Sequence, residues 1–435
     1  MQFDRSTGAG SELAGVPRMD NPQAAIISGA MRDADVLLAG GGLSGSALAL
    51  ALASAGLAVT VVEPRPAADR EADDFDGRSY ALALASQRLL KALGIWAAVA
   101  TEAQPILRIK VSDGRPGEGA SPFVLGFDHA EIEEGPMGYM VQDRHLRRAF
   151  SDALARSGVS TVTGEIVAQE PDGSGITATV GSRDRLRATL VVGCDGRGSP
   201  TACRAGIGRT GWSYRQTALV CAVQHERPHD ATAHQFFMPE GPLAILPLKG
   251  NRSSIVWTQP EAQAQAIMRA GEAMYLEALR PRFGRFLGEI ALAGSRWSYP
   301  LALSIANAFV APRVALVGDA AHAVHPIAGQ GLNAGLKDVA TLAEVLAEAR
   351  RRGEDVGHLS VLERYQRWRR FDATSLAVAT DAFNRLFSND NPLLRLARGV
   401  GLGAVGRVPA LRRGFIREAA GLTGELPRLL RGLPL

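Results

Sequence analysis

A glycine-rich turn near the beginning of the chain has residue types and spacing that suit a phosphate group. Residues 40–45 read GGGLSG, and the turn lies between two apolar segments. Glycines allow a tight turn and let a pyrophosphate approach the backbone, while a helix that begins there supplies N–H donors and a partial positive charge. A carboxylate about twenty residues later can bind a ribose hydroxyl. The residues assigned to this nucleotide site are Gly40, Gly42, Leu43, Ser44, Gly45, Glu63 and Arg65.

A second turn with a glycine and an acid lies far along the chain. Gly318 and Asp319 follow the apolar run 314–317, so the carboxylate ends a predicted buried strand, where open α/β sheets bind ligands. The segment 325–333, HPIAGQGLN, then opens a long predicted helix. The free N–H groups and positive dipole end of this helix suit the electron-rich edge of a reduced flavin. The first turn does not separate FAD from NAD, whereas this second turn favours FAD.

The elements that hold these turns follow from the spacing of the apolar residues. We predict a βαβ unit from a strand at 35–39, a helix at 43–56 and a strand at 58–63. Short strands dominate between residues 219 and 298. Further strands are predicted at 189–193, 219–223, 233–238, 243–247, 253–258 and 314–317, a hairpin at 106–111 and 123–127, and helices at 86–96, 145–157, 261–279, 331–351 and beyond 362.

Composition and charge exclude several classes of protein. The 435 residues carry a formal net charge of only +4 and no nucleic-acid motif, so no nucleic-acid partner is expected. The three cysteines lack CxxC spacing, which favours a reducing compartment. Residues 36–62 carry no charge, as a membrane span would, but their glycine cluster and β-branched end favour a buried strand, turn, helix and strand. His225, His229 and His234 lack the partners of a metal site, and no metal is expected.

The second turn and its helix resemble a known family. The run 318–338 resembles the flavin-ribityl motif of FAD-dependent aromatic hydroxylases of the para-hydroxybenzoate hydroxylase type, which are class A flavoprotein monooxygenases. The run 325–338, HPIAGQGLNAGLKD, is similar to the signature of their ubiquinone-biosynthesis branch. The resemblance therefore adds to the FAD site the residues Gly318, Asp319, Gly331, Leu332 and Asn333.

Other segments between residues 33 and 420 agree with this resemblance. Residues 190–196, LVVGCDG, resemble the family's Asp-Gly motif, in which the carboxylate, here Asp195, lies near the flavin. An arginine that family members carry shortly afterwards is Ala202 here, so the way the pyridine nucleotide is held stays open. Arg78 lies in a segment similar to one with an FAD-contacting arginine, with an ordinary surface arginine as the alternative. Gln142 matches a polar residue that touches FAD in the family.

The resemblance implies a two-part architecture. The expected fold class is α/β, with a Rossmann-type, glutathione-reductase-like FAD-binding domain that is interrupted by a β-sheet substrate domain and followed by a C-terminal helical region. The predicted bounds are 1–30 for a disordered leader, 31–104, 139–207 and 300–350 for the FAD-binding domain, 105–138 and 208–299 for the β-rich substrate domain, and 351–435 for the helical region.

The resemblance also implies an activity, the hydroxylation of the aromatic ring of a polyprenyl-phenol intermediate in ubiquinone biosynthesis. In the family's chemistry, reduced flavin and O2 form a C4a-hydroperoxide, and NADPH, NADH or another donor acts as a transient reductant. Water must be excluded from the pocket, because the peroxide otherwise decays without product. The alternatives are a hydroxylase of a soluble aromatic, a flavoenzyme that reduces isoprenoid double bonds, and a non-catalytic FAD-binding subunit of a biosynthetic complex.

A dry pocket over the flavin is expected in the β-rich insertion. Its candidate wall residues are Phe236, Phe237, Leu246, Pro247, Trp257 and Pro326, and plain core packing is the alternative for each. No base that would activate the phenol is assigned. The candidates are His322, His325 and Tyr214.

The C-terminal stretch 392–435 is basic and apolar in alternation. It carries eight arginines against two acidic residues. Such a segment can lie on an anionic membrane that holds a polyprenyl-tailed substrate, or it can form a basic helical cap on the FAD-binding domain or on another subunit. The expected location is the cytoplasm, with peripheral contact to the inner face of the cytoplasmic membrane. A homo-oligomer or a complex with other enzymes of ubiquinone biosynthesis is a further expectation.

Overall fold

A computed structural model of the chain describes residues 32–66, 74–117, 119–324, 329–387 and 408–435. The predicted leader lies outside these residues. Within these ranges, no helix combines the length and the apolar character that crossing a bilayer requires. The uncharged segment that a hydropathy scan would select forms a strand, a helix and a second strand, as the glycine cluster predicts.

A mainly parallel sheet carries the predicted nucleotide-binding unit. Strand β1 (Arg32–Ala39) lies between β2 (Val59–Glu63) and β11 (Asp184–Gly193), and β11 pairs in parallel with β19 (Val314–Leu316). Helix α1 (Leu43–Ser54) joins β1 to β2 and is buried along most of its length. Burial on both faces explains why these strands are continuous apolar runs. The sheet also contains β8 (Ser160–Thr163), β9 (Ile166–Pro171), β10 (Ile176–Val180) and β18 (Val310–Ala311).

The register of this sheet brings three loops together. Ala39 of β1 pairs with Gly193 of β11, and Gly193 pairs with Leu316 of β19. Because these strands are parallel, the loops that follow them leave the sheet at the same edge. The glycine-rich turn, the Asp-Gly loop and the Gly318–Asp319 turn therefore meet at the carboxyl ends of the strands, where open α/β sheets bind ligands.

A second sheet is mostly antiparallel, with strand order β20-β17-β12-β15-β14-β13-β5-β6 and β16 paired with β12. Its strands are β5 (Arg108–Arg115), β6 (Gly119–Asp128), β12 (Arg209–His225), β13 (Thr232–Phe237), β14 (Leu243–Leu248), β15 (Arg252–Pro260), β16 (Ile290–Leu292), β17 (Trp297–Ala306) and β20 (His322–Ala323). The predicted hairpin is confirmed, because β5 and β6 pair antiparallel. The predicted domain bounds stay a prediction, although this sheet draws its strands from both segments assigned to the substrate domain.

Two helices cover one face of the second sheet. Helix α6 (Glu261–Arg269) and helix α7 (Glu272–Phe283) are separate, so the prediction of one helix over 261–279 is wrong. The break falls at Ala270, which is extended, and Gly271 becomes the N-cap of α7. Alternate residues of the strands, such as Leu219 and Trp257, form a fully buried cluster with α7.

A small third sheet was not predicted. It consists of β3 (Ser79–Ala83), β7 (Gly138–Gln142) and β4 (Gln104–Ile106), and both outer strands pair antiparallel with β7. Its strands are short and carry no clean alternation, which explains why the sequence pattern gave no signal for them. Helices α2 (Leu84–Ala92), α3 (Trp96–Val99), α4 (Asp143–Arg156) and α5 (Pro200–Arg204) complete this part of the chain.

The described residues of the C-terminal part, 329–387 and 408–435, contain three α-helices. Helix α8 (Gln330–Arg351) lies against α1, and α9 (Leu359–Phe387) lies against α8. Helix α10 (Pro409–Ala419) lies near β6, where Phe415 approaches Phe127 with ring centroids 6.2 Å apart. The 3₁₀ turns within the described residues are Ala100–Glu102, His129–Glu131, Gly318–Ala320 and Arg428–Arg431.

One histidine of the second sheet is poised to make the fold sensitive to acid. The ring of His234 lies 4.5 Å from that of Phe286 and 5.8 Å from that of Phe236, measured between centroids. Burial, together with the positive charge of Lys110, lowers the pKa of His234 from 6.5 to about 4. The unfolded chain therefore takes up a proton near pH 6.5, whereas the folded chain does so only near pH 4.

We therefore expect the free energy of unfolding to fall by about 1–3 kcal/mol between pH 7 and pH 4.5 through this residue. The loss arises because protons bind the unfolded state more strongly over that window. His234→Phe should remove this part of the pH dependence, which urea denaturation at both pH values would measure. His358→Gln, a change at an exposed histidine, should keep it. Equal pH dependence in the wild type and in His234→Phe would contradict the assignment.

Candidate functional site

The glycine-rich turn packs against the Asp-Gly loop so closely that side chains cannot fit between them. Gly40 has a φ of +107°, and a Cβ atom there would lie 2.6 Å from the carbonyl oxygen of Cys194. A Cβ atom on Gly45 would lie 2.0 Å from the carbonyl oxygen of Gly40. A Cβ atom on Gly42 would meet no atom within 4 Å. Gly40 and Gly45 thus serve the packing of the loop, and Gly42 faces open space at the start of α1.

The N-terminus of α1 is suited to an anion. Among the described residues, no side chain caps this helix and its first turn contains no acidic residue. The N–H groups at its start therefore remain available for a bound phosphate, and the helix dipole adds a partial positive charge. Leu43 and Ser44, both predicted to contact the cofactor, lie in this first turn.

Glu63 fixes the glycine-rich turn from the end of the neighbouring strand. Its Oε2 accepts a hydrogen bond from the backbone N–H of Gly41 at 2.7 Å, and its Oε1 accepts one from the N–H of Arg65 at 3.2 Å. The side chain of Arg65 is mostly exposed and lies 3.8 Å from Glu63 Oε1. Each carboxylate oxygen has two lone pairs, so Glu63 can also accept a hydrogen bond from a ribose hydroxyl.

The second turn lies directly against the first. A Cβ atom on Gly335 of α8 would be 2.9 Å from the Oγ of Ser44, and one on Gly318 would be 3.3 Å from the same atom. Gly318 itself has a φ of +65°, which favours glycine. The carboxylate of Asp319 is 45% exposed and lies 3.5 Å from the Nε of Arg197 on the Asp-Gly loop. Two motifs that are about 275 residues apart in the chain thus form one site.

The start of α8 is fastened to the third sheet. The Oδ1 of Asn333 accepts hydrogen bonds from the N–H of Ala83 and the hydroxyl of Ser86, and its Nδ2 donates to the carbonyl of Ala81 at 2.8 Å. Gly329, with a φ of +66°, is the N-cap. Asn333 therefore holds the helix in place instead of pointing freely at a ligand. A Cβ atom on Gly331 would meet no atom within 4 Å, so backbone there can approach a flavin. Leu332 is half-buried beside it.

Asp195 is engaged in structuring its own loop. Its Oδ1 accepts a hydrogen bond from the hydroxyl of Ser199, and its Oδ2 accepts one from the N–H of Thr201 at 2.9 Å. Ser199 in turn caps α5 by accepting from the N–H of Ala202. The contact of Asp195 with FAD stays a prediction.

Arg78 is held by two carboxylates and a ring. Its guanidinium lies 2.7 Å from Asp76, 3.3 Å from Asp143 and 4.8 Å from the centroid of the Trp297 ring. Burial alone would lower the pKa of Arg78, but the hydrogen bond to Asp76 and the charge of Asp143 raise it. These contacts are more than an ordinary surface arginine makes, although the pairing with a pyrophosphate stays a prediction. Gln142 is buried nearby, and its Oε1 accepts a hydrogen bond from Arg144 Nε at 2.9 Å.

The candidate pocket residues divide between the two faces of the second sheet. Phe236 and Trp257 belong to the buried cluster with α6 and α7, which favours the core-packing interpretation for both. Leu246 packs against the core of the FAD-binding half. Phe237 follows Phe236 in a strand and so points to the opposite face from it, as successive residues do. Pro247 is two residues after Ile245 in its strand, so it points to the same face as Ile245, which is the face covered by the helices. Pro326 lies outside the described residues.

The three candidate bases have different surroundings. His322 is buried, and its Nε2 lies 2.7 Å from Oδ2 of Asp338, so this nitrogen carries a proton and donates it. Tyr214 packs beside Leu303 and Val324 in a small cluster with α9. His325 lies outside the described residues. His322 therefore sits within an ion cluster below the Gly318–Asp319 turn, and no base is assigned.

Two functional candidates were missed by the sequence interpretation. Asp338 of α8 and Arg369 of α9 are buried, and Arg369 Nε lies 2.7 Å from Asp338 Oδ1. A signal existed, because Asp338 stands between Leu336 and Val339 on the apolar side of a helix. Charged residues are rarely fully buried unless they are paired, so such a residue predicts an ion pair, but its partner cannot be read from spacing.

The comparisons with known proteins agree with this geometry. A family model described as "FAD binding domain" matches residues 33–379. The chain belongs to this family of FAD-binding proteins. The ubiquinone hydroxylase UbiL of Rhodospirillum rubrum is 45% identical over 430 residues, which cover 97% of this chain and 99% of that protein. The 3-demethoxyubiquinol 3-hydroxylase of Escherichia coli is 37% identical over 393 residues, which cover 89% of this chain and 98% of that protein.

A solved structure shows the same fold. The p-nitrophenol 4-monooxygenase PnpA from Pseudomonas putida DLL-E4 superposes with a TM-score of 0.75 at 21% identity, covering 91% of this chain and 100% of that chain. The predicted family, its ubiquinone-biosynthesis branch, the α/β fold class and the FAD cofactor are thereby confirmed. The residues of this FAD-binding protein also fit the cofactor, because both helix starts face open space at a glycine.

Two glycines of the first turn should respond differently to alanine. Gly42→Ala should leave the melting temperature of the apoprotein nearly unchanged, because a methyl group has room there, yet weaken FAD binding about tenfold or more by obstructing the pyrophosphate. Gly45→Ala should lower both the melting temperature of the apoprotein and its affinity for FAD, because the methyl group would overlap the carbonyl of Gly40. Titration of apoprotein with FAD, followed by flavin fluorescence, measures the affinity.

Gly414→Ala is the matched control, since Gly414 lies in α10 and a Cβ atom there would also meet nothing within 4 Å. Gly414→Ala should lower neither the melting temperature of the apoprotein nor its affinity for FAD. If Gly42→Ala bound FAD as tightly as Gly414→Ala, the pyrophosphate would not lie against residue 42.

Proposed function

We propose that this protein is an FAD-dependent monooxygenase that hydroxylates the aromatic ring of a polyprenyl-phenol intermediate in ubiquinone biosynthesis. It would use O2 and NADPH, NADH or another reductant. The printed names of the two relatives that match nearly the whole chain support the substrate class. The observation that carries the proposal is the contact of Gly318 and Gly335 with Ser44, which joins the phosphate-binding turn to the flavin-binding turn in one site.

The chain's own residues would hold the cofactor in an extended form. The N–H groups at the start of α1 would bind the pyrophosphate, and Glu63 would accept a hydrogen bond from the adenosine ribose. Asp319 would accept hydrogen bonds from the ribityl chain, for which its exposed carboxylate is suited. The backbone N–H groups at Gly331 and Leu332, at the positive end of α8, would stabilise negative charge on the ring system. Bound and reduced FAD supplies the activation of O2 for oxygen transfer to an electron-rich ring.

Water exclusion would depend on the face of the second sheet that is opposite to α6 and α7. Ala222 and Leu248 lie on this face and belong to the same apolar core as the FAD-binding half. Trp297 Nε1 donates to the carbonyl of Asp76 at 2.8 Å and so ties β17 to the loop of Arg78. A sheet fastened over the flavin in this way would keep the reacting atoms dry, which oxygen transfer requires.

The pyridine nucleotide would bind without a domain of its own. The GxGxxG turn at residues 40–45 follows a predicted strand and opens a predicted helix, and the FAD site accounts for it. The other match to this pattern, residues 401–406, follows no predicted strand. Arg197 and Arg204 are the basic residues nearest in sequence to the family's usual arginine position, which is Ala202 here. Two single variants, Arg197→Ala and Arg204→Ala, test which arginine contacts the reductant. The variant that raises the KM for NADPH identifies the residue in contact.

The function is tested first with purified protein. We expect a yellow protein that consumes NADPH and O2 when a polyprenyl-phenol is added and releases a product one oxygen atom heavier, measured by mass spectrometry. A soluble phenol as the better substrate would favour the soluble-aromatic hydroxylase, and a product two hydrogens heavier would favour the isoprenoid reductase. FAD binding without any turnover would favour the non-catalytic subunit. Cells that lack the protein should accumulate a quinone precursor with one hydroxyl missing.

We also propose a peripheral contact of α10 with the inner face of the cytoplasmic membrane. Val408, Leu411 and Phe415 share one side of this segment and are 43%, 49% and 44% exposed. Arg412 and Arg417 form ion pairs with Glu131 and Glu134 at 2.9 and 2.8 Å, which fixes the helix on the protein and leaves these three apolar side chains partly exposed. An amphipathic helix with this composition binds the surface of anionic bilayers. A complex with other biosynthetic enzymes or a homo-oligomer remains a prediction.

Membrane contact is tested by sedimentation with vesicles of phosphatidylglycerol and phosphatidylcholine. The double change Leu411→Ser and Phe415→Ser should reduce the bound fraction about tenfold, because two apolar side chains no longer enter the bilayer. The matched control, Val167→Ser with Met274→Ser, changes exposed apolar residues elsewhere and should bind like the wild type. Equal binding by both double variants would remove α10 from the membrane contact.

A further inference from the structure

A buried ion cluster lies beneath the Gly318–Asp319 turn and takes no part in the proposed chemistry. It consists of Asp338, His322 and Arg369, which are all buried. Oδ2 of Asp338 accepts hydrogen bonds from the backbone N–H of Gly318 at 2.9 Å and from Nε2 of His322 at 2.7 Å, while Oδ1 accepts one from Nε of Arg369 at 2.7 Å. The cluster therefore joins the turn after β19 to β20, α8 and α9.

The carboxyl group of Asp338 stays ionised in spite of its burial. Burial alone would raise the pKa of Asp338, but the charges and hydrogen bonds of His322 and Arg369 outweigh it and hold the pKa below the usual 3.8. Arg369 is itself supported by Asp372, whose Oδ2 accepts a hydrogen bond from Nη1 at 2.8 Å. A full negative charge therefore faces the N–H of Gly318, and hydrogen bonds to charged acceptors are stronger than neutral ones.

Asp338 shares one face of α8 with two glycines of the site. Gly331, Gly335 and Asp338 are spaced by four and three residues, which puts them in line along a helix. Gly331 faces open space at the predicted flavin position, Gly335 lies against Gly318 and Ser44, and Asp338 binds the N–H of Gly318. One side of the helix thus reaches from the cofactor to the ion cluster. A shift of α8 along its axis or about it would break the bond between Asp338 and Gly318.

We propose that Asp338 is a positioning residue for FAD. Through the N–H of Gly318 it fixes the turn that presents Asp319, and through α8 it fixes the helix start at Gly331, so both groups that hold the flavin end of the cofactor share one anchor. Arg369 and His322 keep the anchor charged and immobile. The inference deepens the proposed function and rests on its FAD site alone, independently of the substrate.

The chain offers a matched control at the other end of the same strand. Arg313 precedes β19 and is buried; its Nη1 lies 2.7 Å from Oδ1 of Asp355, and its Nη2 donates to the carbonyl of Gly173 at 2.8 Å. This pair also joins an arginine to an aspartate near β19, but it lies at the strand end away from the Gly318–Asp319 turn. Breaking it should affect stability without moving the residues that hold FAD.

The test compares Asp338→Asn with Asp355→Asn. Apoprotein of each variant is titrated with FAD, the dissociation constant is read from flavin fluorescence, and the melting temperature of the apoprotein is measured separately. We expect Asp338→Asn to raise the dissociation constant about tenfold or more and to broaden the absorption bands of bound flavin, because the amide binds Gly318 more weakly and removes the negative charge that Arg369 faces inside the cluster. Asp355→Asn should change the dissociation constant less than about twofold.

A milder pair keeps the test decisive if Asp338→Asn does not fold. Arg369→Lys retains the charge beside Asp338 but loses the fixed geometry of the guanidinium, and Arg313→Lys makes the same exchange at the control site. The first should weaken FAD binding measurably and the second should not. The proposal is overturned if the paired variants shift the FAD dissociation constant equally, or if Asp338→Asn binds FAD like the wild type. Neither measurement uses a substrate, so a failure of the hydroxylation assay would leave this result standing.

Discussion

The whole site depends on turns that approach each other so closely that glycines stand at the points of contact. The turn before α1 touches the Asp-Gly loop at Gly40, and α8 touches both the first turn and the Gly318–Asp319 turn at Gly335. A Cβ atom on Gly40 would lie 2.6 Å from the carbonyl oxygen of Cys194, and one on Gly335 would lie 2.9 Å from the Oγ of Ser44. These approaches bring the two helix starts close to each other, which is the arrangement that binding of one extended ligand by both helix dipoles would require. Larger side chains there would separate the helices and leave two unrelated turns.

Close backbone contact alone does not fix the orientation of the two turns. Charged side chains fix it through hydrogen bonds. Glu63 holds the first turn through the N–H of Gly41, and Asp338 holds the second through the N–H of Gly318. In both cases a carboxylate on a neighbouring element binds the N–H of a glycine. A glycine loses more conformational entropy on folding than any other residue, so each glycine turn needs such a partner to adopt one conformation. The glycines therefore explain why the carboxylates are there.

The parts of the molecule that the sequence predicted are those that local pattern controls. The βαβ unit at 32–63 was visible because buried parallel strands are continuous apolar runs and because its glycines have one common use. The resemblance of 318–338 identified the cofactor for a similar reason. The third sheet was invisible, since its strands are short and their partners are set by tertiary contacts. The break at Ala270 was missed because the apolar spacing of 261–279 continues through it.

The candidate pocket residues show the same limit at the level of single side chains. Alternation along a strand says that Phe236 and Phe237 point in opposite directions, but only the placement of α6 and α7 decides which face is covered.

With the helices in place, Trp257 fills the covered face, and Ala218, Ala222 and Ala244 are buried on the opposite face. Bulky side chains close the sheet against its own helices, whereas on the opposite face Leu246 and Leu248 pack against the core of the FAD-binding half. Alternation along a strand thus assigns each side chain to a face. Which face meets the helices and which meets the FAD-binding half is set by tertiary packing, and the pattern of a single strand does not contain that information.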